Sequence, residues 1–63
     1  MELDVAQLSS LSSTIAGLTE RVTALADELH ASPREDVAAD LYEVERSLQE
    51  ARRRLQDLVR RLS

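Results

Sequence analysis

The chain has 63 residues, a single histidine, no cysteine and a formal charge of -4. That length allows one small domain, residues 1–63, with a thin core, and the lack of cysteine excludes disulfide staples and thiolate metal sites. One tyrosine is the only aromatic, too few for a base-stacking platform, and no apolar run approaches the ~20 residues of a membrane span.

In chain order, Met1-Glu2-Leu3-Asp4 reads as a helix start. Asp4 is the expected N-cap with Gln7 three positions on, and Leu3 with Leu8 has the spacing of a hydrophobic staple. This segment lacks the basic region and apolar run of a signal peptide, so a cytoplasmic location without membrane attachment is expected. The first helix is expected over about residues 4–30. Its apolar residues follow a strict heptad, Leu8, Ile15, Val22 and Leu29 at a with Leu11, Leu18 and Leu25 at d. Its interior is otherwise rich in Ser, Thr and one Gly, which are poor helix formers, so the helix must be held by its neighbours. Ser12, Thr19 and Ala26 repeat at seven-residue spacing on the e flank, where small side chains would let another helix approach closely.

The stop is equally legible. Ser32-Pro33-Arg34-Glu35 combines a favoured N-cap, a proline suited to the first helical position and the S-x-x-E capping box. The residue before a proline is driven away from helical angles, so the first helix cannot pass Ser32. A second helix is expected over about residues 33–62, with apolar positions Val37, Leu41, Val44, Leu48, Ala51, Leu55 and Leu58. Read outward from the turn, Leu29 faces Val37, Leu18 faces Leu48, Ile15 faces Ala51 and Leu8 faces Leu58 in one register. Glu50 with Arg54 and Asp57 with Arg61 have the spacing of stabilising pairs one turn apart. The expected fold is therefore all-α, an antiparallel two-helix hairpin. One seam supplies too little core to offset chain entropy, so the hairpin is expected to dimerise into a four-helix bundle.

Charge is unevenly placed. The turn end gathers Asp27, Glu28, Glu35, Asp36, Asp40, Glu43 and Glu45 against Arg34 alone. The open end gathers Arg52, Arg53, Arg54, Arg60 and Arg61 against Glu2, Asp4 and Asp57. Head-to-tail pairing of two hairpins would bring each acidic end to a basic end.

Chemistry is thinly represented. His30 has no second histidine or cysteine to form a nucleophile pair or metal site, and a two-helix hairpin offers no cleft for paired carboxylates. No catalytic residue, metal or cofactor is expected, and the chain reads as no enzyme. Tyr42, beside the seam, and the arginines 52–54, 60 and 61 are the candidate partner contacts. Three consecutive arginines fan through roughly 200° of a helix, which does not make a flat phosphate-binding face, and the net charge is negative. Nucleic acid is accordingly not the expected partner.

Two resemblances follow from these residues. Length, turn placement and the Glu28-Leu29, Asp36-Val37 and Leu41 positions resemble the Rop family of plasmid proteins, whose helical hairpins dimerise into an antiparallel four-helix bundle and bind paired RNA loops. The family's RNA-binding face is not matched, since the first helix carries Arg21 alone among its Ser and Thr, and the likeness implies the fold only. Glu45, Arg52 and Gln56 also resemble the helical E-x3-S-x2-R-x3-Q-x3-D motif of small actinobacterial anti-sigma factors that bind cyclic di-GMP. Gln49 and Arg60 depart from it at the serine and aspartate positions. The expected function is a noncatalytic protein-interaction or regulatory module. The alternatives are an anti-sigma-type or nucleotide-second-messenger-binding regulator and, third, a Rop-like binder of structured RNA.

Overall fold

Heptad-spaced apolar residues on both sides of a proline stop produce two long helices folded against each other. The computed structural model describes residues 2–63 as α1, Glu2–His30, and α2, Glu35–Leu62, packed as a hairpin about 49 Å long. Helix α1 begins two residues before the expected cap, so Asp4 lies inside its first turn. There Glu2 and Asp4 face the positive end of the helix dipole, a favourable position without a capping bond. Met1, the first residue of the expected helix start, lies outside the described residues.

The turn departs from the expected capping box. Ser32 closes α1: its N–H donates to the Leu29 carbonyl at 3.1 Å, and its hydroxyl donates to the same carbonyl at 2.7 Å. The Ser32 hydroxyl oxygen accepts the Arg34 N–H at 3.1 Å, an ST turn that carries the chain around Pro33. Helix α2 then opens at Glu35, and Arg34 is its N-cap with no side-chain capping bond. The Arg34 carbonyl accepts the first helical bond, from the Ala38 N–H at 3.1 Å. Ser32 and Pro33 therefore belong to the turn, and Glu35 is the first residue of the helix rather than the far half of a box. The serine hydroxyl is already committed to Leu29 and Arg34. Ser32→Ala is expected to cost about 1 kcal/mol by losing these two bonds. A thermal melt of the variant checks this, and an unchanged midpoint would mean that the turn does not depend on them.

The seam is built on small residues. Ala26 and Ala38 are 0 % exposed and Ser12 is 7 % exposed, and no large side chain among the described residues is fully buried. The e flank of α1 thus does admit a close helix, and that helix is the chain's own α2. Around these contacts Leu8, Ile15, Val22 and Leu29 of α1 are half-buried, as are Val37, Leu41, Leu48, Leu55 and Leu58 of α2. The other expected core positions are more exposed, at the edge of the seam. Leu11, Leu18, Leu25 and Val44 are 53, 41, 48 and 44 % exposed, and Ala51 is exposed beside them in the heptad. Close backbone approach along Ser12 and Ala26 turns α1 so that a and e positions face α2, which swings the d leucines outward.

Candidate functional site

Helical geometry sorts the surface beside the seam into two flanks. Residues two apart on a helix point roughly 200° from each other. Leu11, Leu18 and Leu25 therefore face away from Ser13, Ala16 and Thr23, and Ala51 faces away from Arg53. One flank carries the exposed apolar row Leu11, Leu18, Leu25, Val44 and Ala51. The other holds two adjoining hollows between the helices that share Ala16 and Arg52 and together form a groove, one reaching Asp27 and Glu45 near the turn and one reaching Arg60 near the open end.

Two hydroxyls lace the turn half of the hairpin together. Tyr42 Oη donates to Asp27 Oδ1 at 2.6 Å, and Thr23 Oγ1 donates to Glu45 Oε2. The His30 ring meets Tyr42 edge-on, with centroids 6.3 Å apart and planes at 72°. Tyr42, a candidate partner contact, is thus placed as a clasp between α1 and α2. His30 is a packing neighbour of that clasp at the end of α1.

The clasp gives the protein an alkaline signature. Donation to Asp27 raises the Tyr42 pKa, and burial and the charges of Asp27 and Glu45 push the same way. A phenol whose folded-state pKa lies above its unfolded value contributes its full stabilisation below the unfolded value, near 10. That contribution is lost as pH rises through the raised folded-state value. Tyr42→Phe is expected to melt earlier than the parent from neutral pH to about pH 9, with the gap closing above about pH 10. Melts across that range check it, and a gap that persists unchanged at high pH would contradict it.

The arginines do not form one patch. Arg54 pairs with Glu50 at 3.6 Å, as spaced in the sequence, and Arg46 pairs with Glu43 at 3.2 Å. Asp57 takes Arg60, three residues on, in place of the expected Arg61. All of these partners are solvent-exposed or nearly so, where such pairs contribute only about 0–1 kcal/mol each. Arg52 and Arg53 turn toward the groove with Arg60, while Arg54 lies beside Ser47 and Ala51 away from it. Among the described residues no carboxylate pairs with Arg52, Arg53 or Arg61.

Compared with models of known families, with curated proteins and with solved structures, the chain matches none. The likenesses to Rop and to the anti-sigma factors therefore rest on the residues quoted for them. For the second, Glu45, Gln49, Arg52, Gln56 and Arg60 all line the groove, so the helix face that carries the spacing is the one turned toward α1. Among the described residues no three metal-ligating side chains converge, and no helix is long and apolar enough to cross a membrane.

The sequence pattern did not single out three of these features: the Thr23–Glu45 and Tyr42–Asp27 bonds, and the burial of Ser12. Ser12 was visible only as one member of the small e-flank row. The two bonds join polar residues far apart in the chain, and heptad spacing describes apolar positions alone.

Proposed function

We infer that the chain is a noncatalytic interaction module that works as a homodimer in the cytoplasm, two hairpins forming a four-helix bundle. One observation carries this reading. Leu11, Leu18, Leu25 and Val44 form an exposed apolar row on one flank of a hairpin that buries no large side chain fully. A second copy of the same flank is a self-complementary cover, as a two-fold dimer requires. Burial of such a row is worth about 25 cal/mol per Å² of apolar area, which a hairpin with so small a core needs for stability. Charge sets the direction. The acidic turn end and the arginine-rich open end match when the two hairpins lie head to tail, and repel when turn lies beside turn. The partner would meet the outward arginines, since Tyr42 is engaged within the hairpin.

Cysteines placed at Ala31, in the turn, and at Ser63, at the open end, test the arrangement; the chain has no other cysteine. A mixture of Ala31→Cys and Ser63→Cys is expected to crosslink between chains with a short bismaleimide, and Ala31→Cys alone is expected to stay uncrosslinked. Efficient crosslinking of Ala31→Cys to itself would place turn beside turn and overturn the head-to-tail bundle.

A second reading, a regulator that binds a small anionic ligand, is favoured by the groove itself. Serine hydroxyls line it, it lies on the flank that the dimer would leave uncovered, and Arg52 and Arg53 line it without carboxylate partners.

A further inference from the structure

At its open end the groove brings together hydroxyls from α1 and guanidinium groups from α2. Ser9, Ser12 and Ser13 line one wall and Arg52, Arg53 and Arg60 the other, with Asp57 among them. Asp57 is occupied by Arg60, which leaves Arg52 and Arg53 as the uncompensated charges of the site. Ser12 adds an independent observation. It is 7 % exposed, yet its hydroxyl bonds to no other protein group among the described residues. The hydroxyls of Thr14 and Thr19, on the same helix, instead turn back to the Ser10 and Ile15 carbonyls at 3.1 and 2.7 Å. Ser12 lines the groove beside Ser9 and Ser13.

The hydroxyl of a largely buried serine, two further hydroxyls and two guanidinium groups with no carboxylate at ion-pair distance make a donor-rich site. Guanidinium forks and hydroxyls are the groups that hold phosphate oxygens, the forks by paired charge-assisted bonds. No aromatic side chain lines the site, so nothing there stacks a base. We propose that the groove between Ser12 and the Arg52–Arg53 pair is a binding site for a compact phosphate-rich anion, held by its phosphate groups. It deepens the second reading above and does not depend on the dimer, because every residue it uses belongs to one hairpin.

Tripolyphosphate is the probe, with the intact chain at low ionic strength and melting temperature and calorimetry as readouts. Tripolyphosphate is expected to raise the melting temperature with saturation, because it binds the folded state alone. Arg52→Gln with Arg53→Gln is expected to weaken binding about tenfold or more. Arg34→Gln with Arg61→Gln, which changes the net charge equally, is expected to leave it nearly unchanged. Ser12→Ala keeps a small residue in the seam, as Ala26 does, and is expected to fold normally and bind several-fold more weakly. No saturable rise, or an equal rise with sodium sulfate at matched ionic strength, would overturn the site. So would equal weakening by the two arginine pairs, or parental affinity in Ser12→Ala. If the parent proves monomeric and still binds tripolyphosphate, the bundle fails and the site stands.

Discussion

Leu18→Glu is expected to weaken self-association by about a hundredfold or more, because it would bury an unpaired carboxylate where the proposed bundle closes. Leu18 sits at the middle of the exposed row, 41 % exposed in the hairpin, so part of its surface is left for a second copy. A circular dichroism spectrum that stays helical while association is lost separates an effect on the second copy from an effect on the hairpin. Sedimentation of the variant should show the single-chain mass at concentrations where the parent is a dimer, and its melting temperature should drop with that change. A Leu18→Glu variant that associates like the parent would mean that the apolar row is not the contact.

Ala26→Leu acts on the other side of the same argument. Ala26 is 0 % exposed in the seam, and Ala38 of α2 is equally closed. A leucine there cannot be taken up by rotation into solvent, so the helices must part. Overpacking of this kind costs about 1–3 kcal/mol. In a hairpin whose core is one thin seam, the upper end of that range is a large fraction of the total. Chemical denaturation of the variant should show the loss, and an unaltered midpoint would indicate that the helices do not meet at their small residues. Together the two variants separate the contact within a hairpin from the contact between hairpins.

The helices and their antiparallel hairpin were legible because Pro33 forbids continuation and because leucine spacing is a strong helical signal. Which apolar residues meet which neighbour was not. In the proposed four-helix bundle each helix would face two others, and an a/d row describes an arc wide enough for both contacts. The sequence pattern assigned Leu11, Leu18, Leu25, Val44 and Ala51 to the hairpin seam, and the structure leaves them on the open flank. The deciding factor was size. Ser12, Ala26 and Ala38 allow closer backbone approach than leucines do, so the chain folds on its small side. The cap differs from the sequence expectation for a local reason. Ser32 can serve the end of α1 or the start of α2, and its hydroxyl bonds to Leu29 and Arg34 instead of reaching Glu35. The groove was the least legible part. Ser12 and Arg52 lie 40 positions apart, and no pattern within one helix reveals that folding brings them to a common wall.

Sedimentation equilibrium of the unmodified chain over a wide concentration range, paired with melts of the same samples, tests the homodimeric bundle most directly. The expected result is a mass approaching twice the 7.1 kDa of one chain, with a melting temperature that rises with concentration. Higher salt should weaken association modestly, as contacts between exposed charges are screened. A 7.1 kDa particle at every concentration, melting at one temperature throughout, would contradict the bundle.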